Sequence, residues 1–315
     1  MDSIKNMNWI HSWQASYIGE MELWIPFTLL AVVMQSVRTA GQKQVTRHLS
    51  VSATTLVRFL YGVPFAVVYC GYLHVYTDAG FSATRDEFYL WCSLAAVSQI
   101  IATVLLVKAL QISNFAVGTS LVKTETLMAA LIGSWFFNDI LSARGYVCVV
   151  LGVAGALIAS KVQLRSLDKG ANAGIAYSAG AGLGFALASL WLRQGILSLD
   201  TPALTGAAYA LLFMVILQTV ICLIWVGCRE PLQFKVMRDK WRPCLFIGFT
   251  SVAGSIGWFT AVCLQNAALV RTLGQLEFLV ALAITHFYFG ETISRRVYLG
   301  MLLVILSVVL LLTSA

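Results

Sequence analysis

The chain has 315 residues, of which 59% are apolar and 11% charged, with a formal net charge of +7 and a mean hydropathy of +0.82. A soluble domain carries roughly a quarter of its residues as charged, so this composition cannot cover a surface that faces water, and lipid must be the solvent. The positive charge is spread over short polar breaks, which fits the basic bias of membrane loops and argues against a nucleic-acid partner.

In chain order, the first twenty residues stand apart: Trp9, Trp13 and Tyr17 sit among polar residues, and no signal-peptide core is present. This segment reads either as an interfacial amphipathic helix or as an extension upstream of Met21, so residues 1–21 are set aside as an N-terminal extension. Beyond it, apolar runs of the ~20 residues needed to cross the hydrocarbon core fall at 23–42, 52–74, 88–110, 115–137, 142–160, 172–194, 202–226, 244–265, 267–289 and 296–313. Short polar breaks separate them, and the longest, 227–242, holds Arg229, Lys235, Arg238, Lys240 and Arg242. No stretch alternates with period two over ten residues, which argues against an outer-membrane barrel. The expected fold is an all-α integral membrane protein with about ten transmembrane helices. The seven cysteines are scattered through apolar runs without metal-ligand spacing and read as small buried hydrophobes, so no metal is expected.

Loop charge gives an orientation. Twelve basic residues fall on one side, from Lys43 and Arg47 through the 227–242 loop to Arg295 and Arg296, against five on the other: Lys5, Arg85, Arg144, Arg193 and Arg271. The richer side is expected to be cytoplasmic, with both termini outside, in a bacterial-type inner membrane.

The chain also repeats itself. Residues 114–160 align without a gap to 266–312, at a constant offset of 152 (277 − 125). The matches include Asn114/Asn266, Glu125/Glu277, Phe137/Phe289, Ser142/Ser294, Arg144/Arg296 and Tyr146/Tyr298, with Asp139/Glu291 as a matched acid. Five spans per half make the second half enter the membrane in the opposite sense, so the chain reads as an inverted repeat of two five-helix halves, 22–161 and 172–315. Such repeats place solute sites near the midplane between the halves and give alternating access by rocking.

Each half closes with an apolar helix, a short acidic turn and a last helix, "FFNDILSARGYVCVVLGVAGALI" and "YFGETISRRVYLGMLLVILSVVLL". In these segments, and in "TTLVRFLYGVPFA" around Arg58 and "KAL" at 108–110, the chain resembles the EamA-type drug/metabolite transporters over residues 22–315. Where many members of that family carry a proline in helices four and nine, this chain has Glu125 and Glu277. The resemblance implies a secondary transporter, most commonly an exporter of amino acids or related compounds, and not an enzyme.

Charged side chains at the bilayer centre are costly and normally face a cavity or a partner. Glu125 and Glu277 lie ten residues into spans four and nine, roughly 15 Å deep. They read as substrate or proton-coupling sites, or as neutral hydrogen-bonded acids that pack helices. Lys123 and Gln275 form a second matched pair; Lys123 is turned about 200° from Glu125, which leaves it an acid elsewhere, the substrate or the interface as partner. Because the neutral Gln275 precedes Glu277, that acid is expected to lack a cationic neighbour and to be the likelier coupling site. Arg38, with Gln35 one turn earlier, is a candidate cavity residue, whereas Arg58 reads as a snorkelling structural residue and His286 as a packing histidine. Trp258 lies beside Gly254 and Gly257, which admit a ligand or another backbone. Gly180 and Gly184 have small-xxx-small spacing and read as a packing surface. No phosphate-binding loop or catalytic triad spacing is present, and no cofactor is expected. The function expected is export of a small polar metabolite, an amino acid or a derivative, by alternating access, with proton coupling and a monomeric or homodimeric state left open. Uptake or exchange of a metabolite or nucleotide-like solute is the alternative, ahead of a membrane-embedded enzyme or a non-transporting subunit.

Overall fold

The computed structural model describes the backbone of residues 3–76, 86–112, 121–159, 169–199, 201–280 and 295–313, with side chains described there except at 3–22, 76, 121, 159, 169–172 and 295. In hydrocarbon, every backbone N–H and C=O must find a partner within the protein. Among the described residues helices and 3-10 turns meet that demand, without strands. The Trp9, Trp13, Tyr17 and His286 side chains lie outside the described residues, as does the matched turn around Glu291.

Helix α1 runs Ser3–Val45, and the second span follows as α2 (Val51–Leu60) and α3 (Val63–Tyr76). The sequence suggested one helix over 52–74. It is interrupted at Tyr61 and Gly62, where the backbone lodges against Gly248; a Cβ on Gly248 would stand 2.4 Å from the Tyr61 carbonyl carbon. Then come α4 (Asp86–Ile112), a 3-10 turn (Leu121–Thr124), α5 (Glu125–Phe136) and α6 (Ala143–Ala159). The second half comprises α7 (Lys169–Leu197), α8 (Ala203–Arg229), the short α9 (Gln233–Asp239), α10 (Trp241–Leu264), α11 (Ala267–Leu273), a second 3-10 turn (Gly274–Leu276) and α12 (Arg295–Leu312). Helix resumes over 277–280 after that turn. Among the described residues, six spans are long and apolar enough to cross a bilayer, and α6 and α12 add shorter apolar helices.

The packing obeys the repeat. α1 lies along α10, and its two-fold mate α7 lies along α4, the mate of α10. α8 against the α2–α3 span, α5 against α11 and α6 against α12 each pair a span with its own counterpart. Lipid gives no hydrophobic drive between helices, so close backbone approach has to hold them. A Cβ on Gly257 would sit 2.4 Å from the Phe27 carbonyl oxygen, so the room beside Trp258 is filled by the backbone of α1. At the related crossing, a Cβ on Gly184 would meet the Ala102 methyl at 2.9 Å, which makes Gly184 the packing surface its spacing suggested.

At the polar ends, side chains finish the helices. Ser50 caps α2 by accepting from the Ala53 N–H, and its hydroxyl also donates to Glu230 at the end of α8. Asn266 caps α11 by accepting from the Ala268 N–H at 2.9 Å and reaches the Asp139 carbonyl at 3.3 Å. Arg193 donates to the Val262, Cys263 and Gln265 carbonyls, closing the C-terminus of α10. The turn after α5 has Asn138 in the left-handed region at φ 53°, and the second half carries Gly290 at the matching sequence position.

Candidate functional site

Spans four and nine were expected as unbroken α-helices, yet in each a 3-10 turn stands immediately before the glutamate; in span four the residues ahead of Leu121 lie outside the described ones. The two turns occupy matching positions in the repeat. Glu125 and Glu277 therefore each begin an α-helical stretch directly after a 3-10 turn, and in the ninth span the backbone N–H of Glu277 still bonds the Gly274 carbonyl across the turn. A short 3-10 stretch inside a span is a common mark of a functional site, and broken helices at the repeat interface are where inverted-repeat transporters build one.

The charges pair across the halves. Lys123 of the first half bonds Glu277 of the second, while Arg271 of the second half meets Glu125 of the first, Nη1 to Oε1 at 3.3 Å. All four side chains are buried. A chain of polar contacts joins the two pairs. The Gln35 amide donates to Glu277 at 2.9 Å and accepts from the Trp258 indole N–H at 2.8 Å. The Arg271 guanidinium lies 4.3 Å over the Trp258 ring and donates to the Ser189 hydroxyl from Nε at 3.1 Å and Nη2 at 2.6 Å. Gly274 leaves room for that indole, since a Cβ there would fall 2.4 Å from Cη2 of Trp258. In a medium that does not screen charge, a fully partnered network of this kind is strong, whereas one lacking a member is costly.

Beside the network lies a narrow cavity walled by Gln35, Arg58, Gln99, Ser189, Trp258 and Arg271, with apolar side chains including Leu192, Met214 and Phe259 completing it. In this conformation it has room for about a water or two.

The sequence profile of the EamA-like transporter family matches residues 22–161 and again 172–313. The chain belongs to the EamA-like transporter family. In fold it is similar to a protein of known crystal structure at a TM-score of 0.68 and 13% identity, over 94% of this chain and 97% of that one. No curated protein matches it significantly. The family is one of membrane transporters, and this EamA-like chain is accordingly a multi-pass membrane protein.

In this EamA-like chain the expected site residues separate into two groups. Gln35, Lys123, Glu125, Trp258 and Glu277 come together in one network. Arg38 is 2% exposed and buried in α1, outside the cavity lining, with Nε making no hydrogen bond. Gln275 turns away toward the fifth and tenth spans, close to Gly152 and Ser307. Three readings need correction. Glu277 does not lack a cation: the 3-10 turn and the inverted packing bring Lys123 to it from the other half. Arg58 does not snorkel; it is 4% exposed and faces the cavity. Arg271, assigned to a loop, is buried in the ninth span beside Glu125, and its fifth position in that apolar run was the signal overlooked.

Proposed function

We propose that this protein is a secondary active transporter that exports a small polar metabolite, an amino acid or a compound derived from one, by alternating access coupled to protons. The observation that carries the reading is the crossed pairing of Lys123 with Glu277 and Arg271 with Glu125 at two symmetry-matched helix breaks beside the cavity. Each pair bridges the halves, so rocking one half against the other must part it, and a carboxylate left alone in hydrocarbon takes a proton before it takes exposure. Glu125 has one cationic contact, at 3.3 Å, whereas Glu277 is held by both Lys123 and Gln35. Glu125 is thus the acid with fewer hydrogen-bond partners, and either carboxylate is a candidate carrier of the coupled proton. Substrate meets Gln35 and Trp258 on the cavity wall while both ion pairs are still closed, and the rocking that parts them follows.

The test is transport in proteoliposomes under an imposed pH gradient. Glu125→Gln and Glu277→Gln keep side-chain size and remove titration, so each should abolish proton-driven accumulation in a protein that still folds. Retention of the full pH-dependent rate by both variants would sink the mechanism.

For orientation we place the 227–242 loop in the cytoplasm and both termini outside, in a bacterial-type inner membrane. Arg193 and Arg271 are engaged within the bundle, as is Lys43 on the richer side, which donates to the Leu110 carbonyl; without the three the loop count becomes eleven (12 − 1) against three (5 − 2), which keeps the asymmetry. Cys228 is exposed at the edge of this loop. An impermeant thiol reagent should label it in inside-out vesicles and spare it in intact cells; labelling in intact cells reverses the orientation.

A further inference from the structure

Among the described residues, the buried charges do not balance. Arg38, Arg58, Lys123 and Arg271 face only two buried acids, Glu125 and Glu277. Lys123 and Arg271 answer those acids, which leaves Arg38 and Arg58 without an ion pair, and Arg38 still has both glutamates among its charged neighbours. Of the two arginines, Arg58 opens on the cavity. Its Nη1 donates to the Thr103 hydroxyl at 2.6 Å, and its guanidinium lies 5.2 Å over the Phe59 ring; both partners are neutral. The charged side chains in its surroundings are Arg38 and Arg271, both positive.

Arg58 also stands where two cavities meet. The second is lined by Arg58, Gln99, Gln218, Ser251 and Ser255 together with apolar residues. The Ser251 hydroxyl is buried there without a hydrogen-bond partner, and Gln218 holds Gln99 by an amide–amide bond of 2.8 Å. Among the described residues, neither cavity is lined by an aspartate or glutamate. A buried guanidinium without a counter-charge is strongly unfavourable in hydrocarbon, and one kept beside a cavity provides a planar fork for an incoming carboxylate.

We propose that Arg58 is the docking point for the carboxylate of the transported solute, and that this solute is a monocarboxylate with no charged amine, an amino-acid derivative with its nitrogen acylated. The inference rests on the transport reading above and specifies its substrate. One free guanidinium matches one carboxylate. A phosphoryl dianion asks for a second cation, and the other arginine at the cavity, Arg271, is already held by Glu125. An ammonium would find no acid on the cavity wall. Leu192, Met214, Phe259 and Val262 suit an apolar remainder.

Four compounds that share the leucine side chain and cover the four charge combinations decide it: N-acetylleucine, leucine, leucine amide and N-acetylleucine amide, as anion, zwitterion, cation and neutral form. Thermal stabilisation of the purified full-length protein reads binding, because a ligand specific to the folded state raises its apparent stability. N-acetylleucine should stabilise most, leucine less, and the two amides not at all. Arg58→Gln should weaken N-acetylleucine by about tenfold or more, the loss of a charge-assisted hydrogen bond. Its melting temperature without ligand should stay level or rise, because an uncompensated charge has been removed; Arg58→Lys should retain part of the binding. Preference for leucine overturns the charge assignment and leaves amino-acid transport standing. Preference for an amide, or for glycerol phosphate added as a fifth probe, overturns carboxylate docking. Arg58→Gln with an unchanged N-acetylleucine shift, or with a lowered melting temperature and intact binding, makes Arg58 a structural anchor and overturns the proposal. N-acetylleucine that binds through Arg58 but shows no counterflow in proteoliposomes removes the transport reading alone.

Discussion

The two helix breaks occupy the same place in the repeat and hold the same acid, but they are answered differently. Glu277 is met by Lys123, which precedes the other acid by two residues, and by Gln35. Glu125 is met by Arg271, six residues before Glu277, and that arginine is itself braced by Ser189 and by the Trp258 ring. The residue matched to Lys123 is Gln275, which packs near Gly152 and leaves the acids alone. Carboxylate, break and crossed pairing are thus common to both halves, while the cation comes from a different position and carries a different chemistry. Buried pairing of charge is what the membrane demands, and the position that supplies the cation is free to drift.

Removing the better-connected cation should do the most damage. Arg271→Met strands Glu125 in the bundle and strips Ser189 and Trp258 of a partner, with an expected loss of about 3–5 kcal/mol in reversible denaturation of the detergent-solubilised protein. Adding Glu125→Gln should recover a large part of it; no recovery would mean that Arg271 is held by Ser189 and Trp258 and that the ion pair is incidental. Lys123→Met should cost less, about 2–3 kcal/mol, because Gln35 still donates to Glu277. If the two losses come out equal, the asymmetry drawn between the halves has no energetic content.

The two glycine crossings extend the comparison at lower cost. Overfilling a packed interface costs about 1–3 kcal/mol. Gly257→Ala should sit at the upper end, because the obstacle is a backbone carbonyl at 2.4 Å, and Gly184→Ala at the lower end, because it meets a methyl at 2.9 Å. The smallest effect concerns the turn after α5. Asn138→Gly, which copies the second half, should leave stability within about 0.5 kcal/mol, whereas Asn138→Val at φ 53° should cost about 1–2 kcal/mol. Equal losses would show that this backbone relaxes away from the left-handed conformation.

Much of this was legible before any coordinates. Apolar run length marks the spans because lipid leaves the backbone few alternatives, and the constant offset between Glu125 and Glu277 marks the pair because shared hydrophobicity does not match acids. An acid elsewhere was among the partners left open for Lys123, and Glu277 is that acid. The breaks were hidden: "LVKTETL" and "LGQLEFL" contain no proline, and nothing local separates a 3-10 turn from an α-helix there. With the breaks hidden, sequence neighbours stood in for spatial ones, and Glu277 looked unaccompanied. Arg271 was missed because a cation near the start of a run resembles a loop charge, and only packing against Ser189 and Trp258 shows which way it turns.

The 3-10 turns also have a mechanical consequence. A 3-10 helix winds about 120° and rises about 2.0 Å per residue, against about 100° and 1.5 Å in an α-helix. Were the four residues Leu121–Thr124 to rewind as α-helix, α5 would turn about its axis by about 80° and draw in by about 2 Å. The three residues Gly274–Leu276 would give about 60° and 1.5 Å. An arc of that size at the radius of a glutamate side chain carries the carboxylate several ångströms, beyond the reach of either ion pair. Each half therefore contains a short screw, and a change of winding pitch in either one would uncouple its acid from the opposite half even with the rest of the bundle standing still.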